Sequence, residues 1–310
     1  MPGAPVVAVV GSTGYVGKML MPAFLEGLKD GKLKELRVLT SEAKLNSQLV
    51  QGYKASGAKA VPVDYTDVSS VTTALSGVDA VVSTLGSGGE GIDNVKTTLL
   101  DALVAAKVKL YFPSEFGTNH YKYLDYKHPA FEGKRKHFAQ AKERGLTTIR
   151  MLTGCIMEFT FGKWFGFDCV SGVWTVVGNA ADIPCATTAE RDLGRFTLEA
   201  VLLANSDITK CPDAIEVYSD IKTLREYAKA LDKVSERETT FNQVPLEEFK
   251  TQYEATQDFL KLIMIMFAEG AFDVTKANGN LLLNRNESVW KLKKFEVFAK
   301  ETGGTPRSLN

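Results

Sequence analysis

A run of apolar residues at 5–10 (PVVAVV) breaks into glycines at 11, 14 and 17 (GSTGYVG) and passes into a stretch with helical spacing at 17–28. A chain that leaves a buried strand through such a turn and restarts as a helix has few architectures open to it. Glycine lets the backbone reverse sharply and approach a pyrophosphate, and lets the helix sit tightly on the strand with its first amides aimed at the anion. Any tight turn can use glycine, so the pattern by itself is weak. Its place between a buried strand and a helix makes a dinucleotide site the expected reading.

The rhythm continues. Apolar runs at 35–40, 59–64, 80–85, 108–113 and 147–152 alternate with helical patterns at 68–75, 92–106 and 131–145. Runs without polar alternation suit strands buried on both faces, hence a parallel sheet with helices on either side. The expected class is α/β, a doubly wound, Rossmann-like sheet. After about residue 155 the pattern changes. Aromatics crowd positions 159–174 (Phe159, Phe161, Trp164, Phe165, Phe167, Trp174), and helical patterns follow at 190–203, 223–233, 246–253 and 257–270. Residues 1–155 are expected to form the NADP(H)-binding domain. Residues 156–310 are expected to form a smaller, mostly helical substrate domain, some of whose strands could rejoin the first sheet. Some aromatics would build its core and others line a pocket for a flat apolar ligand. The stripe Phe259, Leu260, Ile263, Met264 and Phe267 reads as core.

With 37 basic and 37 acidic residues, bulk charge draws the chain neither to nucleic acid nor to an anionic membrane. Cys155, Cys169, Cys185 and Cys211 form no CxxC pair and read as free thiols in a reducing compartment. The N-terminal run lacks the marks of a signal peptide, and no apolar block approaches a bilayer span. A cytoplasmic protein is expected. His120, His128 and His137 have no helical metal-ligand spacing, so no metal is expected.

Cofactor choice is read at the tip of the second strand. NAD sites usually place a carboxylate there; this chain has Thr40 and Ser41, with Lys44 beyond. Those hydroxyls and that amine suit a 2′-phosphate and favour NADPH, although Glu42 argues mildly the other way. In the helix at 131–145, Phe131, Phe138, Ala141 and Gly145 form one apolar stripe with Lys134 in its middle. A lysine so placed either snorkels to the edge or reaches into a cleft, where desolvation would lower its pKa toward that of a usable proton carrier. His137, at i+3, reads as a partly exposed helix histidine that could tune that lysine. Tyr123 and Lys127 match the Y-x-x-x-K pair of ordinary short-chain dehydrogenases, but their Tyr-, His- and Asp-rich surroundings read as a loop.

Several motifs together resemble the isoflavone reductase-like family of atypical short-chain dehydrogenases, relatives of the NmrA-like proteins. They are GSTGYVG at 11–17, SGVD at 76–79, YFPSEFG at 111–117, FEGK at 131–134 and the stretch 145–155, with a fainter continuation at 183–203. The resemblance implies an NADPH-dependent reductase acting on phenylpropanoid-, lignan- or isoflavone-like molecules, small aromatic or conjugated substrates. It carries the family's catalytic lysine onto Lys134, which would also touch the cofactor. It carries further cofactor contacts onto Gly11, Thr13, Gly14, Tyr15, Val16, Gly17, Thr84, Leu85, Gly86, Phe112, Pro113, Ser114 and Glu115. Gly154 and Cys155 are expected on the cofactor side, and Ile156, Phe159, Trp164 and His120 on the substrate side. Two departures stand out: Thr40 where the family commonly has Arg, and Gly154 where it often has Asn. The alternative function is a non-catalytic NADP-sensing regulator, which would keep the glycine turn without needing a proton-transfer residue.

Overall fold

Five consecutive buried residues make β1 (Val6–Val10) a central strand, since every side chain on both faces must meet protein. In the computed structural model, which describes residues 3–86 and 91–306, α1 (Tyr15–Lys29) follows the glycine turn directly. β2 (Glu35–Thr40), α2 (Glu42–Leu45), α3 (Gln48–Ala55), β3 (Lys59–Pro62), α4 (Val68–Ala74), β4 (Ala80–Ser83), α5 (Ile92–Ala105), β5 (Leu110–Phe112), α6 (Pro129–Glu143) and β6 (Arg150–Leu152) continue the chain. The first five strands pair in parallel in the order β3-β2-β1-β4-β5. A parallel bridge from Tyr111 to Thr148 adds the segment before β6 to that edge. The chain winds outward through β2 and β3, then returns to place β4 on the other side of β1. That reversal is where an open α/β sheet leaves a crevice at its strand ends.

The later elements are β7 (Cys155–Ile156), α7 (Met157–Thr160), β8 (Phe167–Asp168), β9 (Val173–Val177), β10 (Pro184–Thr188) and α8 (Glu190–Ser206). After them come β11 (Ala214–Glu216), β12 (Asp220–Thr223), α9 (Leu224–Ser235), β13 (Thr240–Val244), α10 (Leu246–Thr256), α11 (Phe259–Ala268), α12 (Gly279–Leu283) and α13 (Phe295–Glu301). They include two small sheets, β12-β10-β7 and β13-β9-β8, while β11 pairs with β6. The return strand β10 thus joins β7 and β12 and not the five-stranded sheet.

The residues form two compact units, and neither is a continuous half of the sequence. The first comprises Met1–Phe116, Pro129–Met151 and Leu193–Ile215; the second comprises Gly117–His128, Leu152–Asp192 and Glu216–Asn310. A single boundary near 155 therefore misses both the loop at 117–128 and most of α8. In the first unit α8 packs on α1 at two glycines. A Cβ on Gly194 would lie 2.7 Å from the carbonyl oxygen of Met19, and one on Gly27 would lie 2.8 Å from a Leu198 methyl.

The core of the second unit is aromatic. Phe161, Phe167, Trp174, Tyr227 and Phe295 are all fully enclosed. Phe161 lies 4.6 Å from Phe295 and 4.9 Å from Tyr227 between ring centres, and Phe167 lies 4.8 Å from Trp174. α11 buries Leu262, Ile263, Ile265, Met266 and Phe267, with Phe259 exposed. The expected stripe was rotated, because a helix apolar nearly all round does not announce its inner face. Replacing Trp174 with Ala removes the largest of these rings and should destabilise the second unit by about 3–5 kcal/mol. The check is a urea melt followed by the fluorescence of the remaining tryptophans; an unmoved midpoint would show that this ring does not anchor the unit.

Candidate functional site

The glycine turn at the end of β1 is built by close approach. Gly11 has φ +82°, and a Cβ there would stand 2.8 Å from Thr84 Oγ1 on the neighbouring strand's end. Thr84 is drawn in by its own bonds, since its amide and its hydroxyl both donate to the Val10 carbonyl at 2.8 and 2.9 Å. A Cβ on Gly17 would lie 2.6 Å from Ser12 Cα. The Gly14 amide donates to the Gly11 carbonyl at 2.9 Å, closing the turn. From α3, Tyr53 donates its hydroxyl to the Ser12 carbonyl at 3.2 Å and pins the turn from below.

Two features of this turn fit a phosphate ligand. Gly14 caps α1 without a side-chain bond, so the amides of the first helical turn face outward. Ser12 Oγ is buried in a residue only 1% exposed and has no hydrogen-bond partner. Such a hydroxyl is costly to bury unless something accepts from it. Gly11, Gly14 and Gly17 keep the cradle free of side chains, Thr13 and Val16 are half-buried, and Tyr15 is exposed.

At the tip of β2, Thr40 is buried, Ser41 half-buried and Lys44 exposed. Arg37, the cation on the strand itself, is committed to the fold. Its Nε meets Glu35 at 2.6 Å, and one terminal nitrogen donates to the carbonyls of Ala74 and Ser76, each at 2.8 Å. Beyond β4, Thr84 is buried, Leu85 half-buried and Gly86 exposed.

At the end of β5, Phe112 pairs with Val82 of β4, and Pro113, Ser114 and Glu115 turn the chain away. The Glu115 amide donates to Pro113 and the Phe116 amide to Met151, both at 2.9 Å. Phe116 is held at φ +32°, a strained position for a side-chain-bearing residue. Against this turn lies α6, which buries Phe131, His137 and Ala141. Lys134 stands on that same face and its Nζ donates to the Glu115 carbonyl at 2.5 Å. Lys134 as a residue is half-buried, but protein atoms crowd its amine. Lost hydration, above all, holds its pKa below the ordinary lysine range; Lys96 pushes the same way and Glu115 opposes.

His137 corrects the reading of a partly exposed histidine. It is buried, and its Nε2 shares a hydrogen bond of 2.7 Å with the hydroxyl of Tyr111 on β5. Burial, then the nearby Lys96 charge, depresses its pKa to about 4, so the ring is neutral at physiological pH. The sequence reading also passed over Lys96 of α5, which is 8% exposed. Its signal was spacing: Lys96, Leu99, Leu100 and Leu103 fall at i, i+3, i+4 and i+7 on one helical face.

The first unit thus gathers the turn at 11–17, Thr84, the segment 112–115 and Lys134 along the ends of the adjacent strands β1, β4 and β5. Thr40, Ser41, Lys44, Leu85 and Gly86 lie in the same unit, whereas His120, Gly154, Cys155, Ile156, Phe159 and Trp164 belong to the second. Gly154 has φ +59°, and a Cβ there would lie 2.9 Å from the Ala186 carbonyl, a local reason for glycine at this position. Cys155 and Ile156 form β7 against Thr187 and Thr188. Phe159 is half-buried, edge-on to Phe165, and Trp164 is 51% exposed. His120 is buried and stacked on Tyr121 at 4.4 Å. No helix covers 123–127, so Tyr123 and Lys127 share no helical face. All four cysteines are free thiols. Among the described residues there is no His, Cys, Asp and Glu group fit for a metal ion, and no helix long and apolar enough to cross a membrane.

Comparison with known proteins places these features among others like them. The model of the NmrA-like family matches residues 4–296. A phenylcoumaran benzylic ether reductase from Pinus taeda is 29% identical over 206 residues, covering 63% of this chain and 64% of that protein. An isoflavone reductase homolog from Solanum tuberosum is 33% identical over 215 residues, covering 65% and 66%. The alignments thus span just under two thirds of these relatives' length. Solved structures agree over nearly the whole chain. Leucoanthocyanidin reductase from Vitis vinifera, in a binary complex with NADPH, superposes with a TM-score of 0.76 at 17% identity, covering 96% of this chain and 99% of that one. AtPrR2, solved with NADP+ and (+)pinoresinol, superposes with a TM-score of 0.78 at 21% identity, covering 97% and 99%. At these identities the superpositions establish the fold: a doubly wound parallel sheet.

The neutral His137 gives the protein a signed dependence on pH. Its folded pKa, about 4, lies below that of an unfolded histidine, about 6.5. Between those values the unfolded chain binds the extra proton. This stabilisation is therefore full above about pH 6.5 and lost as pH falls toward 4, to the extent of about 3 kcal/mol. Urea midpoints should fall over that window, and His137→Gln should flatten the fall; an equally steep fall in the variant would assign it to other groups.

Proposed function

The chain belongs to the NmrA-like family, and from that premise we propose that it is an NADPH-dependent reductase of small aromatic substrates carrying a conjugated carbonyl or alkene, of phenylpropanoid or isoflavone type. The observation that carries the reading is the Lys134 amine, closed in against the Glu115 carbonyl at the end of β5. That lysine sits on the same rim of strand ends as the glycine turn. The reductase names among the relatives support the class, and the NADPH and NADP+ complexes among the structural neighbours support the cofactor.

The residues present suit that cofactor. The unpartnered Ser12 hydroxyl and the open amides of α1 would hold its pyrophosphate, with Gly11, Thr13, Gly14, Tyr15, Val16 and Gly17 forming the cradle. Ser41 and Lys44 would take the 2′-phosphate, because Arg37 is already engaged. Thr84, Leu85, Gly86 and the segment 112–115 would border the remainder, with Gly154 and Cys155 on the cofactor side. His120, Ile156, Phe159 and Trp164 would contact substrate.

When bound, NADPH supplies a hydride. The chain's own chemistry is then the handling of the matching proton and charge. As an ammonium, Lys134 has three N–H bonds. One is spent on the Glu115 carbonyl, which aims the others and leaves them for a substrate oxygen. The lowered pKa eases release of a proton from Nζ as negative charge builds on that oxygen.

Lys134→Ala should lower NADPH oxidation with a responsive substrate by about 10²–10⁴-fold, while fluorescence titration shows NADPH binding largely retained. The substrate is sought among aromatic enones, quinone methides and ketones; undiminished turnover in the variant would remove Lys134 from the chemistry. Lys44→Glu should weaken NADPH binding and leave NADH binding unchanged, measured by the same titration. Equal losses for both cofactors would place the 2′-phosphate elsewhere.

A further inference from the structure

A buried polar pair joins α6 to β5, and stability alone does not account for it. Tyr111 is 1% exposed and His137 7% exposed, and the phenol lies in one apolar cluster with Ala141 of α6 and Leu99, Leu100 and Leu103 of α5. The hydrogen bond of 2.7 Å between them serves one ring nitrogen, Nε2; Nδ1 is buried and meets no hydrogen-bond partner among the described residues. Phenylalanine and leucine would fill the same space with no polar group to desolvate, and such an exchange of both partners is often neutral or stabilising. What an apolar contact lacks is direction. Burial of apolar surface tolerates a rotated or sliding helix, whereas a hydrogen bond weakens steeply as its angle closes.

α6 needs such a constraint. Between β5 and α6 the chain runs through 113–128, and 117–128 belongs to the other unit, so no short turn sets the register of the helix on the strand. Tyr111, by contrast, is a fixed reference. Val81 of β4 pairs with it on one side. On the other, its amide donates to the Thr147 carbonyl and its carbonyl accepts from the Ile149 amide, both at 2.9 Å. His137 follows Lys134 by three residues on the same helix, a rise of about 4.5 Å. Tyr111 comes shortly before Glu115, whose carbonyl accepts from the Lys134 amine at 2.5 Å. The strand with its following turn and the helix are thus joined twice, one helical turn apart.

We propose that the Tyr111–His137 bond positions Lys134: by fixing the rotation and height of α6 on β5, it holds the lysine amine against the Glu115 carbonyl. Tyr111 and His137 are positioning residues, and neither has to touch substrate or cofactor. The proposal rests on the reductase reading for its purpose, since the group being placed is the one that reading assigns to proton handling.

The pair acts through geometry and not through charge. Burial raises the Tyr111 hydroxyl above the ordinary phenol range and depresses the His137 ring to about 4, so both are neutral where a lysine titrates. Replacing either by an apolar side chain therefore leaves the net charge around Lys134 unchanged. Glu115 and Lys96, whose charges bear on the Lys134 amine, also stay as they are. A shifted Lys134 titration in such variants reports where the amine sits and how much water reaches it.

The test needs neither substrate nor turnover. Protein labelled with ¹³C at lysine Cε is titrated by NMR, and the Lys134 signal is identified by its loss in Lys134→Arg. In Tyr111→Phe, which deletes only the hydroxyl, the Lys134 midpoint should rise from its wild-type position toward that of an ordinary lysine, about 10.4. His137→Leu should raise it alike, and the double variant no further than either single one, because each removes the same bond. His137→Gln, whose amide can meet the phenol, should bring the midpoint back toward wild type. The double variant leaves neither partner's polar group behind, and it carries the measurement should a single variant fail to fold. Lys134 midpoints that stay at the wild-type value overturn the proposal, and a fall in urea midpoint beside them would make the bond merely structural. Midpoints that rise, in a protein whose Lys134→Ala variant stays fully active, uphold the positioning and reject only the reductase role.

Discussion

The nearness of Gly11 to Thr84 is the constraint on which the first unit depends. Parallel pairing holds β1 between β2 and β4, and the strand ends meet so closely that no side chain fits between them. Because the chain can turn there without filling the space, α1 starts immediately and lies back on the sheet. The same absence of side chains leaves an open cradle with a buried, unpartnered hydroxyl at its floor. The immediate start of α1 and the open cradle follow from one steric fact.

A second principle governs the rim beyond β5. Polar groups that water would normally serve are there enclosed together: the Tyr111 hydroxyl with the His137 ring, and the Lys134 amine with the Glu115 carbonyl. Each satisfies part of the other's hydrogen-bonding need. Enclosure also removes hydration from the Lys134 amine and the His137 ring, which disfavours the charged form of each.

Much of this was legible in the sequence, for physical reasons that also explain the omissions. Strands buried on both faces leave uninterrupted apolar runs, so β1 and β4 stand out, and the turn between β1 and α1 announces itself by glycine. Lys134 was visible because a charge inside an apolar stripe is anomalous. By contrast, α2 and α3 (residues 42–55) are polar and short, held by caps such as the bond from Val50 N to Ser47 Oγ, and leave little periodic trace. The strands β7 and β8 are two residues each, too brief for any period. Lys96 hid among threonines and an asparagine, and its burial is decided by packing between elements that local composition does not show. His137 went the same way: its partner, Tyr111, lies on another element, and pairing across elements has no local signature.

The chain passes between its two units five times, at 116, 128, 151, 192 and 215. The helix that covers α1 through Gly194 and Leu198 is made well after the sheet has been completed in sequence. During synthesis, therefore, the nascent sheet emerges with one flank bare, awaiting a segment still to be translated. A fragment ending near residue 155 would keep every strand of that sheet and expose a greasy flank in its place. Modularity in space is here purchased without modularity in the gene, and any dissection or transplant of this scaffold has to carry residues 193–215 along with the strands they protect.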